Sequence, residues 1–75
     1  MSAGVPRFGV TVRRLRQARG WSQERLAERA ELDRSYMGEI ERALVTPSLA
    51  TAAKLAAALE LPLSQLISQA EHDSP

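Results

Sequence analysis

Cysteine is absent from the chain, so neither a disulfide framework nor a thiolate zinc site is available to it. Histidine is nearly absent: the single one, His72, falls in a polar tail expected to fray, a poor place for metal ligation or general-base work. No apolar run approaches the roughly 18 residues of a membrane span. The opening MSAGVPRFGV lacks the apolar core of a signal peptide, so a soluble, cytoplasmic protein with no membrane partner is expected. Alternating strand patterns and internal repeats are missing as well. The carboxylates offer catalysis little, because Glu24 and Glu28 stand at i, i+4 on a polar helix face, where pairing with Arg25, Arg29 or their neighbours is the simpler role. Together these absences point away from an enzyme and from any cofactor.

Seventy-five residues make one domain, 1–75, and a folded unit this small buries only about 60% of its unfolded surface. Association with a second copy is a natural source of further stability. The net charge of +1 says little about partners, but its distribution says more. Residues 1–42 hold nine arginines against six acids, whereas residues 43–75 hold Lys54 against Glu60, Glu71 and Asp73. A basic first half suits a polyanion-binding face; arginines that merely solvate helices would produce the same asymmetry.

The basic half also carries the most informative stretch, residues 22–42. A segment over residues 22–30 opens on the cap-type Ser22 and sets Leu26, Ala27 and Ala30 on one apolar stripe. A second, over residues 33–42, opens on Asp33 and turns Met37 and Ile40 inward. Only Glu31 and Leu32 separate them, too little chain for an antiparallel pair, so the helices must meet at a steep angle with the small Ala27 at their crossing. With Met37 and Ile40 inward, Arg34, Ser35, Tyr36 and Glu39 lie on or beside the outward face, where a recognition helix touches base edges. Arg34 suits guanine O6 and N7, Ser35 several bases, and Tyr36 a phosphate or a thymine methyl; Glu39 suits a cytosine N4, or equally a contact with Ser35 or Arg42 on its own helix.

Around this pair the periodicity predicts three more helices, for a five-helix, all-α fold. Phe8, Val12 and Leu15 mark the first, over residues 8–19. Gly20 closes it as a left-handed cap, and Trp21 folds back on Leu15 as a core staple. After a connection over residues 43–47, Ser48 caps a fourth helix whose inward stripe is Leu49, Ala52, Leu55, Ala56 and Leu59. Beyond Pro62, Leu63, Leu66 and Ile67 form a short fifth helix, and residues 1–6 and 68–75 are expected to fray around an ordered core over 8–67.

The strings SQERLAERA and LDRSYMGEIER and the TPSL before the fourth helix resemble, over residues 8–67, the lambda-repressor-like helix-turn-helix family, also called the XRE family. Within it, LDRSY followed by IER looks like the controller proteins of restriction-modification systems. The resemblance implies that Gln23 holds a DNA phosphate, joined by Ser22, Arg42 and Thr46, and that Arg16 and Glu41 form a structural salt bridge between the first and third helices. Two departures stand out: family members carry glycine where this chain has Glu31 and Ala43. Leu44 and Val45 replace residues that are often basic in controllers, and pack either on the core or on a partner subunit.

The function so implied is sequence-specific binding of double-stranded DNA at an inverted-repeat operator by a homodimer, held through Leu61, Leu63, Leu66 and Ile67, that blocks or recruits RNA polymerase and in a controller regulates restriction-modification genes. An antitoxin-type autorepressor and a helical protein–protein adaptor are the competing expectations.

Overall fold

The computed structural model describes residues 7–73, which leaves the expected fraying of residues 1–6 outside it, along with residues 74–75. Five helices follow one another: α1 (Phe8–Ala18), α2 (Gln23–Arg29), α3 (Arg34–Glu41), α4 (Leu49–Ala58) and α5 (Leu63–His72), with no strand among the described residues. The caps are those foreseen. Ser22 Oγ accepts from the Arg25 amide, the Asp33 carboxylate from the Ser35 amide and Ser48 Oγ from the Thr51 amide, each satisfying a donor the helix start would otherwise strand.

The C-termini of α1 to α4 repeat one device. At Gly20, Glu31, Ala43 and Glu60 the backbone turns left-handed, with φ of 72°, 59°, 62° and 61°. Each of these amides, and the next one along, bonds back to the last turn, as in Trp21 N to Arg16 O at 3.2 Å and Leu32 N to Ala27 O at 2.8 Å. The residue after each left-handed position is Trp21, Leu32, Leu44 or Leu61, apolar in all four cases. Trp21, Leu32 and Leu61 fold onto the core, whereas Leu44 remains 65% exposed. Of the four, Gly20 is the one expected as a left-handed cap; Glu31 and Ala43 stand where the family resemblance implies glycine, and nothing in the sequence pattern marks Glu60.

The core is mostly aliphatic, with Phe8 and Met37 buried among the alanines, leucines and other branched side chains. Val12, Leu26, Met37, Ile40, Leu55, Leu59 and Leu66 are fully buried, and the half-buried Trp21, Tyr36 and Val45 pack against them. α2 lies on α3, α1 on both α3 and α5, and α4 on α5 and α2.

Three expectations are corrected. Leu49 is not part of the inward stripe: as the first residue of α4 it is 72% exposed, although Ala56, which shares its side of the helix two turns on, is buried, so the start of α4 projects beyond the helices that cover the rest of the stripe. Leu66 is a core residue at 0% exposure and so cannot serve as a docking side chain. Its neighbour Ile67, about 100° further round α5, is the one that emerges, at 38%. Finally, residues 68–73 do not fray: α5 continues to His72, and its C-cap Asp73 is tied to α1. The buried Thr11 hydroxyl donates to Asp73 Oδ2 at 2.5 Å, and Arg14 Nη2 donates to the same oxygen at 3.1 Å and to Gln69 Oε1 at 3.0 Å. These contacts, the Thr11 hydrogen bond foremost, hold the Asp73 carboxyl below its ordinary pKa.

Candidate nucleic-acid interface

The orientation of α3 is set by side chains from three helices. Arg16 of α1 forks onto Glu41 of α3, Nε to Oε2 at 2.7 Å and Nη2 to Oε1 at 2.9 Å, while its Nη1 donates to the Trp21 carbonyl at 2.7 Å. Both side chains are nearly sealed from water, at 10% and 2% exposure, so this bidentate pair is the implied structural salt bridge between the first and third helices. Gln23 of α2 then donates through Nε2 to Glu41 Oε1 at 3.0 Å. One carboxylate therefore accepts from α1 and α2 together and locks the helix pair against the rest of the fold.

One glycine, Gly9, makes that arrangement sterically possible and a second, Gly38, borders it; helical periodicity marks neither. A Cβ on Gly9 would lie 2.1 Å from the Ile40 carbonyl oxygen, so α1 and α3 approach there more closely than any side chain permits. A Cβ on Gly38 would meet Arg42 Nη1 at 3.2 Å and Gln23 Oε1 at 3.6 Å, so the bare helix surface at Gly38 is the floor on which the Gln23 amide and the Arg42 guanidinium converge. The available signal was that glycine inside a helix costs about 1 kcal/mol relative to alanine and therefore needs a packing reason.

Against this frame the face of α3 is laid out as its pattern suggests. Met37, Gly38, Ile40 and Glu41 are buried; Arg34 and Ser35 are exposed in the first turn; Tyr36 and Glu39 are half-buried. Tyr36 rests partly on the core. Among the described residues Arg34 forms no ion pair, and Glu39 bonds neither to Ser35 nor to Arg42, so neither local contact takes up its carboxylate. Ser22, Arg42 and Thr46 are all exposed beside this face in the chain, and Gln23 is half-buried. Ser22 spends an oxygen lone pair on the Arg25 amide but keeps its hydroxyl proton, and Gln23 keeps a second amide proton beyond the one given to Glu41. Each therefore retains a donor for an anionic oxygen.

The dimer-interface expectation fares unevenly in geometry. Leu61 and Leu63 are half-buried against the core, Ile67 is partly open, and Leu66 is inside. Val45 packs on the core, whereas Leu44 does not. The largest exposed apolar side chains are instead Leu44 and Leu49, which bracket the connection between α3 and α4. No group of three or more metal-ligating side chains occurs among the described residues, and none of their helices is long and apolar enough to cross a membrane.

Comparison with known proteins places this geometry. A helix-turn-helix family model matches residues 12–66. The HTH-type transcriptional regulator SutR of Escherichia coli K12 is 42% identical over 68 residues, which cover 91% of this chain and only 38% of that protein. The control protein C.MunI of a Mycoplasma species is 37% identical over 68 residues and is matched over 92% of its length. Among solved structures, the restriction-modification controller protein C.AhdI of Aeromonas hydrophila superposes with a TM-score of 0.78 at 45% identity, covering 83% of this chain and 94% of that one.

Proposed function

Because the chain belongs to the helix-turn-helix family, of the XRE type shared with restriction-modification controllers, we propose that it is a sequence-specific transcriptional regulator that binds an inverted-repeat operator as a homodimer. The observation that carries this reading is the first turn of α3, where Arg34 and Ser35 project from a rigidly mounted helix with no acidic residue in that turn and no partner for the Arg34 guanidinium among the described residues. Arg34 reads guanine through O6 and N7, Ser35 and Tyr36 supply adaptable contacts, and Glu39 accepts from a cytosine amine. Gln23, Ser22, Arg42 and Thr46 grip phosphates and set the register.

Two such helices reach successive major grooves only when held about 34 to 36 Å apart, which calls for a second copy. The exposed Leu44 and Leu49, together with Leu61, Leu63 and Ile67, supply the apolar surface for it. On the operator the dimer alters access of RNA polymerase to a neighbouring promoter, in the manner of a controller in the cytoplasm.

Binding to a duplex selected from a random pool tests the reading. Arg34→Ala should cost about 1 to 3 kcal/mol on the selected duplex and leave a scrambled duplex nearly unaffected. Gln23→Ala should weaken both alike, since a phosphate carries no sequence information. If Arg34→Ala weakens both duplexes equally, Arg34 is a phosphate anchor and the reading face lies elsewhere. A chain that binds no duplex but captures a protein partner tightly would replace the regulator with an adaptor, and one that sediments as a monomer on DNA would remove the dimer.

A further inference from the structure

The interface described so far leaves a second group of cations unused. The guanidinium carbons of Arg29, Arg19 and Arg25 lie 4.5, 5.7 and 5.8 Å from the centre of the Trp21 ring. Arg19 comes from the C-cap of α1, Arg25 and Arg29 from α2. Helical side chains lean toward the helix N-terminus, so arginines four residues apart both carry their charge back toward Trp21, immediately before Ser22. The two glutamates of α2, Glu24 and Glu28, occupy the other exposed flank.

Three positive charges are thus collected on one indole. Among the described residues none of them forms an ion pair; Arg19 donates to the Leu59 carbonyl, while Glu60 stands across a shallow recess from Arg29 without bonding to it. Each guanidinium is drawn to the ring face, but the three repel one another, and an anion placed among them relieves that repulsion. Their position in the chain selects the anion, since Trp21 adjoins Ser22 and Gln23, the residues assigned to the phosphate track.

We propose that Trp21 with Arg19, Arg25 and Arg29 forms a second phosphate clamp, which grips the DNA backbone beyond the contacts of Gln23 and contributes affinity without sequence preference. This inference rests on the DNA-binding reading. Phosphate contacts release counterions, so each one lost makes the log–log dependence of affinity on salt shallower by about 0.9.

The test uses the full chain, its Arg25→Gln/Arg29→Gln variant and a random-sequence duplex of roughly two helical turns. The salt slope of the variant should be shallower by about 1 to 2 per protomer, with affinity for random and selected duplexes falling by the same factor. Trp21, the only tryptophan in the chain, should change its emission when duplex is added to the wild type and change less in the variant. Circular dichroism checks that the variant, altered only at exposed residues, keeps its fold. An unchanged slope overturns the clamp. So does polyglutamate binding that depends on Arg25 and Arg29 while the duplex slope stays put, which would assign the cluster to an acidic protein segment. If Arg34→Ala loses specificity and the slope is unchanged, the clamp alone fails; if the wild type binds no duplex, the DNA-binding reading falls with it.

Discussion

Arg14 and Arg16 stand two residues apart on α1, and each reaches a carboxylate on another helix, yet the two sides of α1 are built differently. Toward α3, Arg16 and Glu41 meet at 2.7 Å with side chains 10% and 2% exposed, and each of the three guanidinium nitrogens donates to Glu41 or to the Trp21 carbonyl. Toward α5, Arg14 and Asp73 meet at 3.1 Å with side chains 50% and 25% exposed. The charges are the same; the solvent is not. A buried pair offers little net stability over an apolar substitute, but it punishes the loss of either partner heavily. An exposed pair is screened and contributes little either way. The fold therefore uses the unforgiving kind of contact where the pose of the recognition helix depends on it, and the tolerant kind where only a helix end must be docked.

The largest effect expected is on the buried side. Glu41→Ala strands the Arg16 guanidinium away from water and frees Gln23, and should cost about 3 to 5 kcal/mol in urea denaturation. A cost below about 1 kcal/mol would mean that Arg16 escapes to solvent and that the two sides of α1 are equally compliant.

Next comes Gly9→Ala, which drives a Cβ to 2.1 Å from the Ile40 carbonyl oxygen. The clash is with backbone, so α1 must move off α3. The expected loss is about 1 to 3 kcal/mol, even after the gain of roughly 1 kcal/mol from replacing a helical glycine. A variant more stable than the wild type would show that α1 and α3 are not in close contact.

The turn between α2 and α3 sharpens the contrast in the opposite direction. Glu31 is exposed with φ of 59°, a conformation that glycine adopts without steric cost, so Glu31→Gly should stabilise the fold by roughly 0.5 to 1 kcal/mol. An unchanged or lower melting temperature would mean that the left-handed turn costs this chain nothing.

The smallest effect belongs to the α5 side. The Asp73 carboxyl is held below its ordinary pKa by the Thr11 hydroxyl first and by Arg14 second. Its stabilising contribution is therefore complete above the unfolded-state value and is lost as pH falls through the lowered folded value. Asp73→Asn should lower the melting temperature slightly at pH 7, and the gap to wild type should narrow as pH falls below the ordinary carboxylate range. A gap of the same size at both pH values would show that the charge of Asp73 does not hold α5 to α1.

Much of the site was readable from the chain because its determinants are local. Ser22, Asp33 and Ser48 cap helices through amides two or three residues away. The inward turn of Met37 and Ile40, and hence the outward turn of Arg34 and Ser35, follows from the helical period alone. Arg16 and Glu41 are different: they are 25 residues apart, and family resemblance, not periodicity, suggested their pairing. The fifth helix runs beyond the expected length because Ala70, the one apolar residue in the polar run after Ile67, continues the Leu66 stripe at i+4 into the core, and because Thr11, 62 residues away, holds Asp73 at its end.

The sequence by itself determined the five helices, the caps Ser22, Asp33 and Ser48, the left-handed turn at Gly20 and the identity of the outward face of α3, since each depends on hydrogen bonds and periodicity within a few residues. Only the tertiary structure decided that Leu49 lies outside and Leu66 inside, that Gly9 and Gly38 are points of close approach, that Gln23 is held by Glu41, and that three arginines share one indole. Those outcomes depend on how helices cross and how far side chains reach between them, which no local pattern along the chain encodes.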